Sequence, residues 1–168
     1  NWGEDADANE AKIEEAVSAT DGQAALYGGV PILAVFHSSS AGLTRPAGEV
    51  WQSDLPYLQP VESPEPGDSI PNYYSRVEFT AEEFREKFLA AYPEADLSGD
   101  LGTWLQNAVT DSAGSVQTVD VGGVTVKGSQ LRSILGLRSA CFEWEEQEGK
   151  LVFFVTGFGH GVGLSQYG

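Results

Sequence analysis

Two short stretches of this 168-residue chain carry residue types that can move protons or hold polar ligands. The first is Gly157-Phe158-Gly159-His160-Gly161-Val162-Gly163-Leu164-Ser165-Gln166-Tyr167-Gly168, in which glycine takes every second position through Gly163. In an extended chain successive side chains point to opposite faces, so one face would be bare and the other would present Phe158, His160, Val162 and Leu164. A bare face lets a ligand or another backbone come close. On the populated face only His160 can transfer protons or ligate a metal. The stretch is not a dinucleotide fingerprint, because Val162 stands where the third glycine belongs, and no Walker lysine follows.

The second stretch is His37-Ser38-Ser39-Ser40-Ala41-Gly42, at the end of an apolar run, a placement that exposes polar side chains at the rim of a sheet. Serine beside histidine suggests a nucleophile and its base. Neighbours on a strand point apart, however, so His37 does not serve Ser38, and no G-x-S-x-G elbow is present. Hydrogen bonding to a sugar suits these hydroxyls better. A metal hydrolase built on His37 and His160 lacks a third ligand at any arguable spacing. The single cysteine, Cys141, excludes a disulfide framework and reads as a buried, inert thiol.

The elements around these stretches follow from periodicity. Ala11, Ile13, Ala16 and Val17 predict a helix over 9–20, stopped by Asp21-Gly22. Ala24–Tyr27 and Ile32–His37 predict a hairpin joined through Gly28-Gly29-Val30-Pro31, whose second strand delivers His37. Prolines at 46, 56, 60, 64, 66 and 71 predict irregular chain from Leu43 to Ser75. Thr80-Ala81-Glu82-Glu83 is a capping box that opens a helix ending near Tyr92-Pro93. Strands at Trp104–Thr110, Val116–Val121 and Val124–Lys127, a helix near 129–136, and a hairpin of Phe142–Glu146 with Leu151–Thr156 complete one α+β domain over 1–168. Its strands are mainly antiparallel and its helices few and short.

Twenty glycines and eight prolines speak against a helical bundle. Nine Lys and Arg against 25 Asp and Glu give a net charge of −16, which repels nucleic acid and an anionic membrane surface. The chain has no methionine, no apolar run of transmembrane length and no visible signal peptide, so it reads as trimmed from a longer protein.

Six stretches in order, Val30–Ser40, Glu49-Val50-Trp51, Pro56-Tyr57-Leu58, Lys127–Arg132, Leu137-Arg138-Ser139 and Gly159–Gly168, resemble the stage II sporulation protein D family, the SpoIID/LytB or amidase-enhancer domain. The resemblance implies a lytic transglycosylase that cuts peptidoglycan at MurNAc–GlcNAc bonds without water, on strands a partner amidase has stripped of peptides. The cell-wall side of the membrane is the implied location. Glycan strands and a cell-wall amidase are the implied partners, and a non-catalytic amidase enhancer is the alternative. His37, Ser39, Ser40, His160, Gln166 and Tyr167 are the substrate-binding residues it points to; Trp51 and Tyr57 would stack on a sugar or pack in the core.

The chain departs from the family in lacking the E-A-x-K-A-Q-A-x-A-x-R-T-Y helix that carries the catalytic glutamate. Glu10-Ala11-Lys12 imitates its opening without the Arg-Thr-Tyr, at a position matching the family's second helix. The general acid is therefore expected outside these residues, the chain alone is expected to be inactive, and Glu10 and Glu49 are the fallback candidates. No cofactor is expected; zinc and a membrane anchor would both need the missing upstream segment. Ala41 replaces a usual glycine, Arg45 a frequent acid, and Leu164 a methionine. With flanking helices missing, apolar surface should lie uncovered near both termini.

Overall fold

A computed structural model describes residues 5–51 and 53–168. The fold is α+β, with antiparallel sheets and few helices, and the contacts divide the chain into two compact units at Ala34/Val35.

The first unit holds helix α1 (Ala6–Ala19) and a hairpin of β1 (Leu26–Tyr27) and β2 (Val30–Pro31). No residue of α1 is buried: its apolar positions Ile13 and Val17 are 48% and 64% exposed. The hairpin departs from expectation. Gly28 and Gly29, at φ +58° and +82°, form a two-residue turn, so Val30 and Pro31 pair with Tyr27 and Leu26. A turn of this kind needs positive φ at both central residues, which Val and Pro cannot supply. His37 therefore does not lie on this hairpin.

The second unit contains two three-stranded sheets. One has β6 (Tyr74–Thr80), β11 (Lys150–Thr156) and β10 (Phe142–Gln147), with β11 central and antiparallel to both, Leu151 opposite Phe79 and Val155 opposite Phe142. The other is β7 (Leu105–Thr110), β8 (Val116–Val121) and β9 (Val124–Lys127), turned at Gly122-Gly123. Helix α3 (Ala81–Ala91) begins at a true capping box: Thr80 Oγ1 accepts from Glu83 N–H, and Glu83 Oε2 accepts from Thr80 N–H. Helix α4 (Gly128–Leu135) ends at Gly136 in the left-handed conformation.

These helices and sheets enclose one core. Phe84 and Phe88 of α3, Leu131 and Leu135 of α4, Phe153 and Val155 of β11 and Val119 and Val121 of β8 are all essentially buried. That scaffold carries an irregular layer from Val35 to Ser69. It consists of β3 (Phe36–His37), β4 (Gly42–Leu43), a short helix α2 (Ala47–Val50), β5 (Glu62–Ser63) and a 3-10 turn (Gly67–Ser69), the proline-interrupted pattern the sequence predicts. A small second cluster of Ala47, Leu58 and Val162, flanked by Trp51 and Tyr57, anchors it.

Candidate functional site

The 157–166 segment is not the extended strand its alternation suggests. Gly157, Gly159, Gly161 and Gly163 all have positive φ, from +76° to +116°, and only β12 (Leu164–Ser165) is strand, paired in parallel with β3. The bare positions do not form an open floor either. A Cβ on Gly159 would lie 2.9 Å from His37 Cβ, and one on Gly163 would lie 2.3 Å from Val35 O. Glycine is required because the protein's own 35–45 segment fills that space.

Backbone bonds lace the two segments together. Ser39 and Phe158 exchange hydrogen bonds at 3.0 and 2.9 Å, Arg45 N–H donates to Gly161 O at 2.7 Å, and Gln166 N–H donates to His37 O at 3.0 Å. The result brings the two histidines together, with ring centroids 5.8 Å apart. Trp51 closes the other side of His160 at 5.2 Å.

Both imidazoles bind the peptide groups of one residue. His37 Nδ1–H donates to Val162 O at 3.2 Å, and Val162 N–H donates to His160 Nδ1 at 3.1 Å. These bonds fix opposite tautomers: the His37 proton is on Nδ1, and the Nδ1 of His160 is a free lone pair. Both rings are biased toward the neutral form. Burial lowers the His37 pKa, against the raising influence of the Val162 carbonyl and the Glu65 charge. Burial also lowers His160, helped by the nearby His37, Arg132 and Arg45 and opposed by a hydrogen bond to Phe36.

This clamp has a pH consequence. Each histidine binds its proton less readily in the folded state than in the unfolded one. Their contribution is therefore complete above the unfolded value near 6.5 and is lost as pH falls through the lower folded values. Protonated His160 would also turn a second donor toward the Val162 N–H. The thermal midpoint of the wild type is expected to drop between pH 7 and pH 5 relative to a His37→Asn/His160→Asn variant, whose amides do not titrate. Parallel pH curves for the two proteins would remove the clamp from the account.

The six sequence-indicated residues come together, but with unequal access. His37, Ser39 and Ser40 are buried at 4%, 4% and 2% exposure, His160 is half-buried, and Gln166 and Tyr167 face solvent. The first three therefore support the site from beneath, while the others, with exposed Phe158 and half-buried Trp51, offer its accessible surface. Under them lies a cavity of about 10 Å³, room for one water, lined in part by Ser39, Ser40, Arg45, Ser115, Cys141 and His160. A larger cavity of about 520 Å³ opens elsewhere, between Tyr92 and Ile134, with none of the site residues on its walls.

Sequence reasoning assigns no part in the site to Glu65, Arg45, Asp111 or Arg132. Glu65 Oε1 accepts from Ser40 N–H at 2.7 Å, Ser40 Oγ at 2.6 Å and Ser165 Oγ at 2.6 Å, joining both motifs to one carboxylate. Its Oε2 is buried without a protein partner, as are His37 Nε2 and Ser39 Oγ. Arg45 forms a buried ion pair with Asp111, Nε to Oδ2 at 2.6 Å, and Asp111 Oδ1 accepts from the Ala113 and Ser115 N–H groups. Arg132 donates from Nε to Leu137 O at 3.2 Å. The one hint of Glu65 was an acid between two prolines in a segment without periodicity. Cys141 is a free, half-buried thiol whose pKa burial raises. Among the described residues, no three His, Cys, Asp or Glu side chains stand where they could share a metal ion.

Comparison with known proteins gives the following likenesses. The chain is 38% identical over 167 residues to stage II sporulation protein D of Bacillus amyloliquefaciens, covering 99% of this chain and 46% of that protein. It is 38% identical over 168 residues to stage II sporulation protein D of Bacillus subtilis (strain 168), covering 99% and 47%. An amidase enhancer of Bacillus subtilis (strain 168) is 24% identical over 201 residues, covering 92% of this chain and 28% of that protein. The chain thus spans about half the length of the stage II sporulation proteins it matches. No protein-family model matches it.

Proposed function

This chain belongs to the stage II sporulation protein D family, and on that premise we propose that it forms the substrate-holding part of a cell-wall lytic transglycosylase acting in sporulation. The reaction is non-hydrolytic cleavage of MurNAc–GlcNAc glycan, on the outer side of the membrane, where an amidase has already removed the peptides. No described helix is itself long and apolar enough to cross a membrane. The observation that supports the reading best is the meeting of both motif histidines on Val162, with the Trp51 ring against His160. Aromatic rings beside hydroxyl and amide groups suit a sugar, which has an apolar ring face and a polar rim.

In this chemistry one carboxylic acid protonates the bridging oxygen. The resulting carboxylate then takes the proton of the sugar's own 6-hydroxyl, which closes on C1 to leave a 1,6-anhydro end. No cofactor is needed for that step. Glu65 is not well placed to be the acid, since one oxygen already accepts four hydrogen bonds and the other is buried. Glu10 lies on α1, where no residue is buried, and Glu49 is exposed beside Trp51. We therefore assign the acid to a glutamate outside the 168 residues. His160, Gln166 and Tyr167 contact the sugar, while His37, Ser39 and Ser40 hold the corner rigid.

A digest of peptide-free glycan by the full-length protein is expected to release 1,6-anhydro ends, and the 168-residue chain alone to release none. Reducing ends from hydrolysis would overturn the reaction assigned, and anhydro products from the chain alone would place the acid within it. The amidase enhancer match favours a second reading, a non-catalytic module that stimulates an amidase. Faster amidase turnover on intact wall, with no glycan cleavage by the full-length protein, would select it.

A further inference from the structure

Acids outnumber bases by 25 to nine, yet among the described residues only three cations find a carboxylate, and the exposed Lys12, Lys87 and Lys127 do without one. Arg45 pairs with Asp111, and Arg76 and Lys150 share Glu78. Arg132 has no such partner. Its Nε–H is used on the Leu137 carbonyl, and no carboxylate among the described residues lies within ion-pair distance of its guanidinium. Arg85 and Arg138 also lack an acid, but each lies over an aromatic ring, Trp104 or Phe158, at 5.0 Å. Arg132 has neither partner and is half-buried.

The position of Arg132 is fixed by the fold. It sits in the last turn of α4, where Leu137 N–H donates to its carbonyl and its Nε–H returns to the Leu137 carbonyl. The next residue, Arg138, accepts the Gly159 N–H at 3.0 Å and lays its guanidinium over Phe158. The end of α4 is thus bonded directly to the glycine-rich segment that carries His160, and the Arg132 charge acts on that imidazole. The helix C-terminus favours a cation at Arg132, and with no carboxylate or ring against it the remaining N–H groups of the guanidinium are left to meet a ligand's counter-charge.

We infer that Arg132 is the anion-recognition residue of the site and pairs with a carboxylate on the bound sugar. The inference rests on the glycan reading above. There the available anion is the acid group of the muramic sugar, which is free only where no peptide is attached. A planar guanidinium matches a carboxylate with two parallel N–H bonds, a geometry that an amide-linked peptide cannot offer. Arg132 would then make the site selective for stripped strands over peptide-bearing ones, while the ring stacking and hydroxyl contacts stay indifferent to the difference.

The test is calorimetric binding of three probes of equal length to the 168-residue chain: a peptide-free GlcNAc–MurNAc tetrasaccharide, its methyl ester, and chitotetraose. The free acid is expected to bind about tenfold more tightly than the ester, the size of one charge-assisted pair. Arg132→Gln is expected to erase that ratio and leave chitotetraose binding unchanged, whereas Arg132→Lys keeps part of it. A merely structural role would weaken all three probes together. Equal binding of acid and ester by the wild type would overturn the inference even if no variant folded. Inorganic phosphate competing as well as the acid sugar would also overturn it, marking a general anion site. If none of the sugars binds, the glycan reading itself fails, and this inference with it.

Discussion

Replacing Glu65 with alanine is expected to destabilise the second unit by roughly 3 kcal/mol. Four donors converge on its Oε1: the Ser40 N–H and the hydroxyls of Ser40, Ser165 and, at 3.5 Å, Ser63. Ser40 and Ser165 are 2% and 5% exposed, so water cannot easily replace the lost acceptor. A buried donor left without a partner costs about 1–3 kcal/mol, and bonds to one carboxylate are not additive. Glu65→Gln keeps an acceptor oxygen at the same reach and should lose roughly 1 kcal/mol, the difference between a charged and a neutral acceptor. Urea unfolding of both variants measures this. A midpoint for Glu65→Ala within error of the wild type would mean these bonds do not brace the site. The same variant should weaken glycan binding through the support, since Glu65 touches only the layer beneath the accessible residues.

Glu65 also marks the limit of what could be read from the sequence. The scaffold was legible because its signals are local. The Thr80/Glu83 capping box, the Gly122-Gly123 and Glu148-Gly149 turns and the apolar alternation of β11 each lie within a few residues of one another. The pairing of β3 with β12 is not local: two-residue strands 128 positions apart, Phe36 with Leu164, leave no periodic trace. The six candidate residues come from motif likeness rather than pattern, and the likeness does not tell which are buried. His37 and His160 carry the same chemistry in the sequence; only the Val162 peptide between them makes one a donor and the other an acceptor. The glycine alternation was misread for a related reason. Glycine in every second position fits an extended ribbon and a chain of positive-φ turns equally well, and the choice is made by the 35–45 segment against which it packs.

That close approach yields the second large effect. Gly163→Ala is expected to cost roughly 4 kcal/mol, and to do so mainly by collision. At φ +76° an L residue pays about 1 kcal/mol for the left-handed conformation. Its Cβ would also stand 2.3 Å from the Val35 carbonyl oxygen and 2.7 Å from Val35 Cγ2. Backbone cannot swing aside as a flexible side chain would, so the segments must separate. Separation would break the 3.1 Å bond from Leu164 N–H to Val35 O and the β3–β12 pairing, and with it the approach of His37 to Val162. Gly149→Ala is the matched control: its φ is +74°, and nothing lies within 4 Å of the added methyl group. It should therefore show the conformational cost alone, about 1 kcal/mol. If the two variants lose equal stability, the steric contact at Val35 is not what requires glycine at 163. A loss several-fold larger at 163, with disturbed imidazole resonances of both histidines, would establish that the glycine-rich segment is held by fit against the 35–45 segment.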